Sequence, residues 1–136
     1  MRVLGIDPGE KNIGIAISDP TVTIANPLMV LKHVSRLIDA ASIAQTANDH
    51  GVGLIIIGQA LDHEGKPTFS GRKAIRLAAA IRTQTDTPVK LWDESHSTQD
   101  ARTAQIAMGR PRRKRGGHLD ELAATVILQS YLNSAV

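Results

Sequence analysis

Cysteine is absent from the 136 residues. That excludes a disulfide framework and any thiolate metal centre, and it suits a reducing compartment, so a cytoplasmic protein is expected. Aromatics are nearly absent as well, reduced to Phe69, Trp92 and Tyr131. A single-strand binder built on serial base stacking needs more rings than that, so a nucleic-acid partner would be held chiefly through backbone and shape. No apolar run approaches the roughly 18 residues of a membrane helix. The first residues enter a strand with no charged leader and no following apolar segment, so neither membrane contact nor a secretory signal is expected.

What is present is enough to fold. An apolar share of 42% over residues 1–136 suits one domain with one core. The formal charge is +3, with an isoelectric point near 9.6, a mild bias toward polyanions. Its distribution matters more than its sum. Arg110, Arg112, Arg113, Lys114 and Arg115 lie close together in one glycine-flanked stretch.

The chain is organised around Val3 to Gly9. An apolar run ends in Asp7, Pro8-Gly9 turns the chain, and Ile13 to Ser18 returns alongside. Arg2–Asp7 is apolar on both alternating sets, as in a central strand covered on both faces. In Ile13–Ser18 the isoleucines alternate with Gly14, Ala16 and Ser18, a small-residue face that admits a helix or ligand. Val22–Leu31 is a third strand, with Asn26-Pro27 suiting an edge. A helix is expected over His33–His50, its stripe stepping through Val34, Leu37, Ala41, Ala44 and Asn48 with Ile38 beside it, and its stop at Gly51. Gly53–Ile57 is a buried strand. A loop leads to a helix capped by Ser70 and ending near Thr85. Val89–Glu94 is the fifth strand, Ser97 to Met108 a third helix, and His118–Asn133 the last.

Strands one, four and five are separated by helices, so right-handed crossovers make them parallel with one shared carboxyl edge. Open α/β sheets bind ligands at that edge. Asp7 and Glu94 end two of its strands. Asp120 opens the last helix, at the head of a stripe through Ala123, Ala124, Ile127 and Tyr131. Carboxylates brought together out of water need a counter-charge. Mg²⁺ or Mn²⁺ supplies it through hard oxygen ligands, and three such acids fit two-metal phosphodiester hydrolysis, with Asp7 bridging and Glu94 and Asp120 flanking. Lys11, beside Asp7, and the basic stretch before Asp120 are candidate phosphate contacts. So is Arg72, in the first turn of a helix whose dipole its charge opposes unless an anion binds there. The histidines show no i,i+4 zinc spacing, and no serine-hydrolase elbow is present.

Three segments carry a family resemblance. Gly5-Ile6-Asp7-Pro8-Gly9-Glu10-Lys11-Asn12-Ile13-Gly14-Ile15-Ala16, Trp92-Asp93-Glu94-Ser95-His96-Ser97-Thr98 and Leu119-Asp120-Glu121-Leu122-Ala123-Ala124 resemble, in order, the opening, middle and closing motifs of the YqgF/RuvX family. These are RNase H-like, Holliday-junction-resolvase-related proteins described as candidate pre-16S rRNA nucleases. The resemblance implies an RNase H-like α/β fold, a divalent-metal nuclease, and Asp7, Glu94 and Asp120 as its acids. The chain departs from the motifs at Ser95, where the family has arginine, at His96, where it has leucine, and at Ala60, where it has proline. The expected architecture is a five-stranded mixed sheet, order 3-2-1-4-5, with helices on both faces. The expected activity is cleavage of structured RNA at the 5′ end of pre-16S rRNA. Branched DNA, a non-cutting binding module and an ATP-binding fragment stand as alternatives. A homodimer would suit a two-fold junction and a monomer RNA trimming.

Overall fold

In the computed structural model, residues 1–94 and 117–134 are described. Five strands, β1 (Arg2–Pro8), β2 (Asn12–Ser18), β3 (Ala25–Lys32), β4 (Val52–Gln59) and β5 (Val89–Asp93), form one sheet in the order β3-β2-β1-β4-β5. β1 pairs antiparallel with β2 and parallel with β4, and β4 pairs parallel with β5. Among the described residues, three helices pack on it: α1 (Arg36–Asp49), α2 (Phe69–Arg82) and α3 (Gly117–Ser134). The architecture is the expected α/β one. The expected helix over Ser97–Met108 and the basic residues Arg110, Arg112, Arg113, Lys114 and Arg115 lie outside the described residues.

Alternation along the central strands divides the core in two. Leu4 and Ile6 of β1, the β2 isoleucines, and Ile55 and Ile57 of β4 pack under α1 and α2. Val3, Ala16 and Ile56 face the other way, under Ala124, Ile127, Leu128 and Leu132 of α3. The small face of β2 thus receives a helix. β3 is an edge strand, and the register slips where Ile15 pairs with Met29 and Ala16 with Pro27, so proline sits at a bulge where its missing N–H costs little. No described helix is long and apolar enough to cross a membrane.

Two local expectations are corrected. α1 buries Ala40, Ile43, Ala44 and Ala47, whereas Val34, Leu37 and Ile38 are exposed. Alanines let the helix axis approach the sheet, and the bulkier residues at its start lie outside that contact. The cap of α2 is Thr68 rather than Ser70: its side chain accepts from the Gly71 N–H at 3.1 Å. Gly71 could not be larger, because a Cβ there would lie 2.2 Å from the Ala60 carbonyl oxygen.

The β2–β3 connection is organised by Asp19. Its carboxylate accepts from the Ile24 N–H at 3.0 Å, the Thr21 hydroxyl and the Thr23 N–H at 2.8 Å. These bonds hold its pKa down from 3.8 to about 2. A depressed carboxylate stabilises the fold above its ordinary pKa and loses that contribution as pH falls through its folded value. Asp19→Ala should therefore lower the melting temperature at neutral pH, with the gap to wild type closing between pH 3.8 and about 2. Thermal melts across that range check this.

Candidate active site

The carboxyl edge of the parallel strands carries two of the expected acids, Asp7 and Glu94. Asp7 is the next-to-last residue of β1, half-buried, opposite Gly14 of β2. It shares the parity of Val3 and Gly5, which places it on the α3 side of the sheet. Glu94 directly follows β5. Trp92, two residues earlier and on the same side, donates its indole N–H to the Ser130 hydroxyl of α3 at 3.2 Å and meets Tyr131 edge-on, ring centroids 5.4 Å apart. The last residues of β5 are thereby tied to α3.

Between the two acids lies Gly58. It follows Ile57, the β4 partner of Ile6, and itself pairs with Trp92. A Cβ on Gly58 would stand 2.7 Å from Ile127 Cδ1, 3.0 Å from Glu94 Oε1 and 3.1 Å from Glu94 Cγ. The Glu94 carboxylate therefore lies over the bare backbone of β4, one strand from Asp7. Gly58 was legible only as a glycine ending a buried strand, a pattern that often marks close approach by a neighbour. Its part in seating Glu94 needed the third dimension. In Gly58→Ala the flexible Glu94 chain must swing away and Ile127 must shift. About 1–3 kcal/mol of stability should go to overpacking, and metal-dependent activity should fall about 10–100-fold, as when a ligand loses its orienting neighbour. Melting curves and Mn²⁺ titrations of the cleavage rate read the two effects separately.

α3 packs across β1 and its neighbours. Its Ala124 and Leu128 cover Gly5, while Gln129 reaches the far end of the sheet, accepting from the Ala25 N–H at 2.9 Å and donating to the Thr23 carbonyl at 3.0 Å. Position 120 is one turn before Ala124 and two before Leu128. The buried ridge is centred on Ala124, Ile127 and Leu128, with Ala123 and Tyr131 half-buried, so it is broader than the stripe expected from spacing.

Burial raises the Glu94 pKa above 4.5, and the adjacent Asp93 charge raises it further. A cation beside Glu94 would reverse both effects. The donors are hard carboxylate oxygens and the chain offers no thiolate, so the residues present fit Mg²⁺ or Mn²⁺ rather than a soft metal. Among the described residues, no group of three or more carboxylate or imidazole side chains stands ready-made around one metal position. Of the basic candidates, Lys11 is exposed in the β1–β2 turn, its carbonyl accepting from the His33 N–H at 2.8 Å. Arg72 is exposed on α2, 6.0 Å from the centre of the Phe69 ring.

A family model described as RuvX: Holliday junction resolvase matches residues 1–134. The chain belongs to the RuvX family. Two relatives, from Thermoanaerobacter pseudethanolicus and an Anaeromyxobacter species, are each 38% identical and bear the name "Putative pre-16S rRNA nuclease". Each alignment covers 98% of this chain and 97% of the relative. Thermus thermophilus RuvC in complex with a Holliday junction substrate superposes with a TM-score of 0.62 at 18% identity, over 98% of this chain and 96% of RuvC. The Fowlpox virus resolvase in its junction complex gives 0.59 at 17%, over 100% and 99%. At these identities the two structures establish a common RNase H-like fold for this RuvX protein.

Proposed function

We propose that this RuvX protein is a divalent-metal-dependent nuclease that acts in the cytoplasm as a single domain and trims the 5′ end of pre-16S rRNA. The observation that carries the reading is the meeting at one sheet edge of Asp7 and of Glu94 over Gly58. Asp7 has the central place. Its strand is flanked on both sides, so its backbone is the most rigidly fixed of the three. Glu94 approaches from β5 and Asp120 from the helix, and the three together hold Mg²⁺ or Mn²⁺. When bound, such a pair of ions activates the attacking water and stabilises the leaving oxygen of an in-line displacement. The remaining work falls to the chain. The acids would hold those ions at the sheet edge. Lys11, Arg72 and the residues Arg110, Arg112, Arg113, Lys114 and Arg115 neutralise neighbouring phosphates. The names borne by the full-length relatives support RNA as the substrate.

Branched DNA is the second reading, favoured by the description of the matching family model. Cleavage of a pre-16S 5′-leader RNA and of a four-way DNA junction, each with Mn²⁺ and with chelator, separates the two. Metal-dependent cuts confined to the RNA are expected. Cuts confined to the junction transfer the activity to DNA. Intact substrates that are nonetheless bound reduce the protein to a binding module, a role that Ser95, without an arginine's charge, would suit. Solution mass accompanies the test, since a dimer would match the two-fold junction.

A further inference from the structure

On the other side of the sheet edge from Glu94 lies a cavity of about 420 Å³, within the size range of ligand sites. Pro8 and Gly9 of the β1–β2 turn, the start of α1 and the first turns of α2 enclose it. Pro8 is the chain neighbour of Asp7, so the cavity and the acid edge are separated by the thickness of one strand.

Its polar lining is cationic. Arg36 comes from α1 and Lys73 and Arg76 from α2. Two carboxylates also line it, Glu10 at the exposed turn and Asp39. Asp39 is buried and already engaged, accepting from His33 Nδ1 at 2.5 Å and the Val34 N–H at 3.0 Å. Among the described residues, none of the three cations pairs with a carboxylate. Lys73 and Arg76 stand three positions apart on one helix, where like charges repel. The first turn of α2 contains no acid to offset Lys73 against the helix dipole. Apart from the contact of Lys73 with the Phe69 ring, the described residues give these cations no carboxylate partner, and an anion would offset their mutual repulsion. At the rim, Phe69 is exposed at the first position of α2, its ring centre 4.8 Å from Lys73 Nζ.

We infer that the cavity is a second phosphate site that holds the substrate strand away from the scissile bond, with the attached base against the Phe69 ring. The inference rests on the nuclease reading and extends it to a substrate class: nucleic acid with an unpaired nucleotide beside the cut. One ring serves one base, consistent with a chain too poor in aromatics for serial stacking. Arg36 and Arg76 offer planar donor pairs to phosphate oxygens and Lys73 a point charge.

The test measures binding of a single-stranded oligoribonucleotide in chelator, which removes catalysis. Wild type, Arg36→Gln/Arg76→Gln and Phe69→Ala are compared, with inorganic phosphate as competitor. All the altered cavity side chains are on exposed residues, so the variants should keep the wild-type melting temperature. The double variant should bind about tenfold or more weakly, with a salt slope flatter by about 0.7 for each lost contact. Phe69→Ala should lose about tenfold, and millimolar phosphate should compete only with proteins that retain the arginines. Unchanged oligonucleotide affinity and salt slope in the double variant overturn the inference, even if wild type cleaves. Phosphate binding that depends on the arginines while strand binding does not would make the cavity a free-anion site and overturn it equally. If no substrate is ever cut but strand binding still needs Arg36, Arg76 and Phe69, the nuclease reading fails and the site stands.

Discussion

Asp7→Asn should cut metal-dependent cleavage about a thousandfold or more while the protein stays folded. The substitution keeps size and shape and removes one negative charge at the end of β1. That charge matters because it is presented from the middle of the sheet, one strand from Glu94 over Gly58. An amide there offers a cation one neutral oxygen and turns N–H donors toward it. Losing several kcal/mol of transition-state charge stabilisation, at about 1.4 kcal/mol per factor of ten, gives the expected loss. Because Asp7 is only half-buried at a strand end, the melting temperature should move little. Single-turnover cleavage with saturating Mn²⁺, beside a thermal melt, decides it. A folded variant within about tenfold of the wild-type rate would show that Asp7 does not hold the metal.

Gly5→Ala should produce the largest loss of stability. An added Cβ would lie 2.7 Å from Leu128 Cβ and 3.3 Å from the Ala124 carbonyl oxygen. Neither atom is the free end of a side chain, so α3 itself must lift. Overpacking of a tight contact costs about 1–3 kcal/mol, and more where backbone has to move. The lift also displaces the helix that carries position 120, so activity should fall with stability. Gly58→Ala differs because its Cβ meets side-chain atoms of Ile127 and Glu94 and leaves the helix in place. Urea midpoints of the two variants should rank Gly5→Ala well below Gly58→Ala. The reverse order would mean that α3 is not anchored on Gly5.

Much of this was readable along the chain. Alternation and turn residues mark out β1 and β2, and the helical crossovers require β4 and β5 to run parallel to β1, which puts Asp7 and Glu94 on one edge. Spacing failed where two faces of a helix were comparably apolar. Leu37 and Ile38 look like core, yet α1 turns Ile43 and the alanines around it to the sheet, because small side chains on that face let the helix axis come close. The cap of α2 was misplaced for a similar reason: Thr68 and Ser70 are chemically alike, and only the path of the chain past Ala60 selects one.

Sequence alone determined the inventory: which carboxylates end strands, the absence of thiolates, the order of elements and hence the edge they share. These follow from local periodicity and from the handedness of connections. Tertiary structure decided the clearances. That Glu94 lies over Gly58, that α3 settles onto Gly5, and that Arg36, Lys73 and Arg76 gather around one cavity depend on distances between segments far apart in the chain. Such distances are set when the whole core packs, and no single stretch encodes them.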